Sequence, residues 1–187
     1  MTRCDWAENA TELMTHYHDY EWGVPTKDER ETFELMTLEM MQAGLRWQTV
    51  LNKRENFRVA FADFDVDKIA QFDDNDVAKL INNAGIIRNK LKIADTIHNA
   101  RQLVKWHRVG KTMNAYLWSF VDDQPIINRY STAADVPAQT PLSLQVSKAL
   151  KQAGFKFVGP TIVQSWLEAL GILDDHLAKC TVNHLSE

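Results

Sequence analysis

Six of the seven glycines, Gly44, Gly85, Gly110, Gly154, Gly159 and Gly171, fall between segments whose apolar residues recur at helical spacing. Each of these segments stops where a helix cap or tight turn is served by glycine. No alternating run with hairpin turns interrupts them, so the expectation is an all-α fold. Asp28 caps a helix in which Phe33, Leu35, Met36, Leu38 and Met41 keep helical period up to Gly44. Further helices are expected over residues 46–61, 66–72, 74–83, 88–107, 113–120, 142–153, 160–170 and 173–180. The loop-rich stretch is 122–141, which holds three of the five prolines.

A chain of 187 residues is most simply one domain, 1–187, with two small helical lobes as the alternative. No apolar run approaches the ~18 residues of a membrane span. Arg3, Asp5 and Glu8 break any apolar run at the start, so no signal peptide is visible and a reducing, cytoplasmic compartment is expected. The net charge of −4 argues against a protein that coats nucleic acid. The charge is uneven: residues 86–111 hold seven Lys/Arg against Asp95, and residues 62–76 hold six aspartates against Lys68. A basic segment in an acidic chain fits either a local polyanion-binding face or an ordinary solvated helix face. No heptad or edge strand demands a second copy, so a monomer is expected.

Cys4 and Cys180 are the only two cysteines, and His18 and His176 lie near them in sequence. On the expected last helix His176 and Cys180 stand at i and i+4, on one face. Cys4, His18, His176 and Cys180 make a saturated tetrahedral set for a structural zinc, clasping one terminus to the other. A disulfide or two unrelated thiols are the other readings, and spacing alone does not choose among them. A zinc hydrolase is disfavoured, because four protein ligands leave no position for an activated water.

Three constellations carry possible chemistry. In Leu80-Ile81-Asn82-Asn83-Ala84-Gly85-Ile86-Ile87-Arg88-Asn89-Lys90 a helix ends, a turn follows, and a helix opens with basic residues. Basic residues oppose the dipole at a helix start unless a phosphate sits there, which fits a helix–hairpin–helix that grips a DNA backbone; a plain αα-hairpin is the alternative. Tyr17-His18-Asp19-Tyr20-Glu21-Trp22-Gly23 crowds aromatic and ionisable residues with no evident period, either as a stacking wall for a flat ring or as a plug for the core. Glu39 lies in an apolar run just before Gly44, Leu45, Arg46 and Trp47. It sits either at the helix rim or buried for a ligand that is cationic or rich in N–H donors, to which Trp47 would add a cation–π contact. Trp106 and Trp166 are expected in the core. His16, His98, His107 and His184 are expected at the surface.

Together these segments resemble the type I 3-methyladenine DNA glycosylases of bacteria, in the helix–hairpin–helix superfamily. The matching pieces are Arg3-Cys4, Tyr17-His18-Asp19, Glu21-Trp22-Gly23-Val24-Pro25, Leu38-Glu39, Gln42-Ala43-Gly44-Leu45 with Trp47, and Leu51 with Lys53-Arg54-Glu55-Asn56. They continue through Gly85-Ile86-Ile87-Arg88, Trp118-Ser119-Phe120, residues 154–159, His176 and Cys180. The matches are collinear over nearly the whole chain. The resemblance implies structural zinc on Cys4, His18, His176 and Cys180, and a flipped-base pocket with Glu39 as catalytic residue and Tyr17, Trp47, Trp6 and Trp22 around the base. It also implies contact with double-stranded alkylated DNA through Gly85, Arg88 and Lys90, with Gly44-Leu45 entering the duplex.

The reaction so implied is hydrolytic release of N3-methyladenine, whose positive charge already weakens its glycosidic bond. The family lacks the catalytic aspartate of many helix–hairpin–helix glycosylases, and no lysine stands out as a Schiff-base nucleophile, so a monofunctional enzyme without strand cleavage is expected. This chain departs from the pattern at Met14, Met40, Met41 and Arg46. The methionines alter the tightness of the pocket wall and leave the choice between N3-methyladenine and N3-methylguanine open, while Arg46 adds a phosphate contact. A non-enzymatic reader of damaged DNA is the rival, but it has no need of a carboxylate at Glu39.

Overall fold

The computed structural model describes residues 1–182, so His184 lies outside the described residues. The chain is mostly helical: α1 Glu12–Tyr20, α2 Glu29–Gln42, α3 Trp47–Leu51, α4 Arg54–Ala60, α5 Val66–Ile69, α6 Asp74–Asn82, α7 Lys90–His107, α8 Met113–Trp118, α9 Pro141–Gln152 and α10 Pro160–Ala169. Among the described residues no helix is long and apolar enough to cross a membrane.

Local chemistry explains most boundaries. Asp28, Asp65, Asp73, Asn89 and Thr140 are N-caps whose side chains accept from backbone N–H groups one turn on. The aspartate-rich stretch 62–76 is thus largely explained by capping, since Asp65 opens α5 and Asp73 with Asp76 forms a capping box on α6. Pro141 and Pro160 occupy first-turn positions of α9 and α10, where no N–H is missed.

The last expected helix does not form. Leu173–Asp174 is instead a short strand, β2, parallel to β1 at Ile126–Ile127, in register Ile126 with Leu173 and Ile127 with Asp174. Backbone N–H groups of Ile126 and Asn128 donate to the carbonyls of Ile172 and Asp174 at 2.9 and 2.8 Å. Those long-range bonds outweigh the local propensity of 173–180, and His176 and Cys180 do not share a helix face. The expected 46–61 helix divides at Asn52–Lys53 into α3 and α4. The 17–23 segment, read above as lacking a period, begins inside α1, where Met14, Tyr17 and His18 are buried at helical spacing.

The centre of the molecule is α2, buried continuously from Thr32 to Met41. It packs against α3, α7, α8 and α10. Trp166 and Trp118, at most 1% exposed, donate their indole N–H groups to the carbonyls of Thr32 (3.1 Å) and Thr26 (2.9 Å), so these two large aromatics beside α2 have their donors matched. The apolar interior has one main cluster and a small satellite of Met14, Tyr17 and Leu51, against which Trp22 and Trp47 pack.

Gly171 closes the turn between α10 and β2 at φ +64, and a Cβ there would lie 2.3 Å from the Val24 carbonyl carbon. Gly44 also has positive φ, +84, but a Cβ would meet nothing within 4 Å. Gly171→Ala is expected to cost on the order of 3 kcal/mol or more and Gly44→Ala roughly 1 kcal/mol in urea unfolding, since only the first adds a backbone clash to conformational strain. Equal losses would show that the close approach to Val24 does not matter.

Candidate active site

Two glutamates of α2 are equally buried, at 6% exposure, and differ completely in their surroundings. Glu34 accepts from Arg54 Nε at 2.6 Å and from Arg58 Nη2 at 2.9 Å, and Arg54 also pairs with Glu21. Glu39 has no hydrogen bond or ion pair among the described residues. Burial alone pushes its carboxyl from the ordinary 4.5 up to about 8. An unpartnered buried carboxyl is costly, and here it faces a cavity of about 510 Å³ lined by Trp6, Tyr17, Trp22, Glu39, Trp47 and Glu168 among others.

The cavity walls are aromatic. Tyr17 and Trp47 stand 5.2 Å apart between ring centroids, and Trp6 meets Trp22 edge-on at 5.2 Å. The indole Nε1 of Trp47 is a buried donor with no partner among the described residues. Burial, with the Glu39 charge second, holds the Tyr17 phenol well above its ordinary value, so Tyr17 is a neutral ring. The site thus offers flat apolar faces, one unmatched acceptor group and one unmatched donor, a complement to a planar heterocycle with N–H groups on its edge.

Ser165 and Glu168 also line the cavity, and the sequence reading missed them. Both lie on α10, where they are the polar exceptions at i and i+3 in Ser165-Trp166-Leu167-Glu168, which is the signal that was available. Gln164 Nε2 donates to Glu168 Oε1 at 2.9 Å. Burial and then the neighbouring Asp175 raise the Glu168 carboxyl well above the carboxylate range.

The 83–89 turn between α6 and α7 lies beside the mouth of α2. Leu45, Lys53, Ile86, Ile87 and Arg88 line one groove. Lys53 Nζ donates to the carbonyls of Ala84 (2.9 Å) and Gly85 (3.3 Å), and Asn83 Oδ1 accepts from Gly85 N at 2.8 Å. Leu45 is 40% exposed, and Arg46 at the mouth of the cavity is exposed as well. Lys90 is the first residue of α7.

At the termini, the ligand atoms of Cys4, His18 and Cys180 all lie within 4.8 Å of one another. His176 stands beside this group, its ring 5.0 Å from that of His18. His18 Nδ1 is 2.8 Å from Asp19 Oδ1 and His176 Nδ1 is 2.7 Å from Asp174 Oδ1. Arg3 fixes Asp19 in turn, its Nη2 donating at 2.7 Å. A carboxylate behind Nδ1 fixes the imidazole orientation in the way common to metal-binding histidines. Both cysteines are free, and burial pushes the Cys4 thiol up to about 12. The donor set, two sulfurs and imidazoles oriented by acids, fits zinc.

Fold and site define a helical protein with an aromatic, carboxylate-bearing ring pocket beside a basic inter-helix turn. The model of the methyladenine glycosylase family matches residues 6–184. The chain is 44% identical over 180 residues to DNA-3-methyladenine glycosylase 1 of Escherichia coli (strain K12), covering 96% of each. A crystal structure of a 3-methyladenine DNA glycosylase I superposes with TM-score 0.93 at 46% identity, covering 96% of this chain and 98% of that one. The Staphylococcus aureus 3-methyladenine DNA glycosylase I, solved for the structural basis of 3-methyladenine recognition, superposes with TM-score 0.93 at 34% identity, covering 100% and 99%. This chain belongs to the methyladenine glycosylase family.

The raised Glu39 carboxyl makes stability depend on pH. Unfolded, it ionises near 4.5; folded, it keeps its proton up to about 8. The folded state therefore binds more protons between these values, and stability falls as pH rises through that window. Glu39→Gln removes the penalty. The variant is expected to be more stable than the wild type by a few kcal/mol at pH 8 and to match it near pH 4, at 1.36 kcal/mol per unit. Thermal unfolding across pH checks this; a variant no more stable at pH 8 would place the carboxyl in contact with solvent or a partner.

Proposed function

We propose that this chain is a monofunctional 3-methyladenine DNA glycosylase that extrudes N3-methyladenine from alkylated duplex DNA and hydrolyses its bond to the sugar. The observation that carries the reading is Glu39, buried on α2 without a partner in an aromatic cavity, while the equally buried Glu34 is doubly paired. Only a ligand that brings N–H donors or positive charge gives such a group a purpose. N3-methyladenine in DNA brings both.

Each residue then has a role. Arg88 and Lys90, with the backbone around Gly85, hold phosphates as a helix–hairpin–helix, without reading sequence. Leu45, raised on the Gly44 turn, fills the space the base leaves, and Arg46 adds a phosphate contact. The extruded base stacks on Tyr17 and Trp47, with Trp6 and Trp22 closing the wall. Facing a cationic ring, the Glu39 carboxyl loses its proton and accepts from the ring edge. Cleavage of the glycosidic bond sends its electron pair to the ring nitrogen, so the cationic base leaves neutral. Water adds to the sugar carbon and its proton goes to solvent. Among the described residues that line the cavity there is no lysine to act as a Schiff-base nucleophile.

A structural zinc held by Cys4, His18, His176 and Cys180 completes the reading. It would supply no chemistry to the reaction; it would tie the first and last segments into one domain, 1–187, that works as a monomer in a reducing, cytoplasmic compartment. Trp6 and Trp22 sit between this cluster and the cavity, Trp6 5.0 Å from the His18 ring and Trp22 4.6 Å from the His176 ring. Loss of the clasp would therefore loosen the pocket wall.

Incubation of the purified protein with methylated duplex DNA, followed by chromatography of the free bases, tests the function. The expected product is N3-methyladenine with intact strands, and Glu39→Gln is expected to slow single-turnover release about 10²-fold or more, as for loss of a positioned group in the transition state. DNA binding without base release would favour the damage-reading alternative. For zinc, elemental analysis is expected to find one ion per chain. Chelation should then lower the melting temperature and make both thiols reactive; a metal-free protein with unchanged melting would refute the clasp.

A further inference from the structure

Lys92 lies in the first turn of α7, where its N–H donates to the N-cap Asn89 Oδ1 at 3.1 Å. Its side chain does not reach into solvent: it is 6% exposed, and Nζ donates to the carbonyls of Met41 at 3.0 Å and Ala43 at 2.7 Å. The face of Phe157 lies 5.9 Å away. Those two carbonyls belong to the end of α2, where helix geometry leaves acceptors unmatched, and α2 has no basic residue in its own last turn. Lys92 is the cation at the negative end of the α2 dipole, delivered from another helix at the cost of opposing its own.

The two segments it joins are the two that the proposed function sets against DNA. The bound carbonyls stand two and four residues after Glu39, and the second immediately precedes Gly44 and Leu45. The turn that carries Arg88 leads directly into the helix bearing Lys92, and Leu45 and Arg88 line one groove. Leu45 N also donates to Gln42 O at 2.6 Å, and Gln42 Nε2 donates to Leu45 O at 3.0 Å, so the wedge is rigid on α2. What remains is to hold α2 against the hairpin, and that is where Lys92 sits.

We propose that Lys92 is a positioning residue that couples the hairpin's hold on the DNA backbone to extrusion of the base, by fixing the Leu45 wedge relative to the 83–89 turn. It touches neither base nor phosphate. The inference rests on the glycosylase reading. Without Lys92 the hairpin still binds phosphates and the pocket still fits the base, but the wedge no longer enters the duplex in register with them.

The test measures single-turnover release of N3-methyladenine from two duplexes, one with the lesion paired to thymine and one with it opposite an abasic site, where extrusion is cheap. Affinity for free 3-methyladenine is read in parallel from tryptophan fluorescence. Lys92→Met is expected to lose about tenfold or more on the paired lesion and less than about threefold on the unpaired one, with free-base affinity unchanged. Lys92→Arg keeps the cation but shifts its donors; it should show the same preference at smaller size, and it serves if the Met variant does not fold. Equal losses on both duplexes, a loss of free-base affinity, or no loss at all would each overturn the coupling role while leaving the glycosylase reading intact. A wild-type protein that releases no base from either duplex would overturn that reading, and this inference with it.

Discussion

Everything in the molecule is arranged around a helix surrounded on all sides. Burial of α2 from Thr32 to Met41 fixes its position against α3, α7, α8 and α10, and a close-packed interior transmits that rigidity to whatever the helix carries. Glu34 is matched by two arginines; Glu39 is left to the cavity. Burial raises the Glu39 carboxyl to about 8, and a carboxyl kept neutral by desolvation gains most from a ligand that supplies charge, which is the basis of the role proposed for it. Stability is given up at this position, where the carboxyl faces a pre-formed cavity.

The two ends of the chain serve the same pocket from behind. Cys4, His18 and Cys180 converge within 4.8 Å, with His176 alongside, and the aromatic rings that close the cavity rest on the two histidines. Tyr17 and His18 are adjacent on α1, so one short helix presents a ring to the cavity and an imidazole to the cluster. The terminal cluster and the aromatic wall of the cavity therefore share one packing unit.

Much of this was written locally. The helix starts follow from Asp28, Asp73, Asn89, Thr140, Pro141 and Pro160, residues whose side chains or fixed φ act within one turn. The aromatic and acidic residues of the pocket stood out because Glu39 broke an apolar run and Tyr17 and Trp22 crowded one segment. The 173–180 stretch went the other way: its strand exists only because Ile126–Ile127 pairs with Leu173–Asp174, an interaction between residues 47 positions apart that no local pattern encodes. Ser165 and Glu168 were missed for a related reason, since a polar residue on an amphipathic helix looks the same whether it meets solvent or a cavity.

The sequence by itself determined the helical class, most element starts, the family and the residue types that a ring pocket and a metal clasp need, because caps, periods and motifs are short-range signals. Tertiary structure alone decided that Glu39 is unpartnered among the described residues while Glu34 is paired, that Cys180 reaches Cys4 and His18 through a turn with His176 alongside, and that the Lys92 ammonium closes the end of α2 rather than facing solvent. Each of those depends on which groups are excluded from water together, and desolvation is a property of the packed whole.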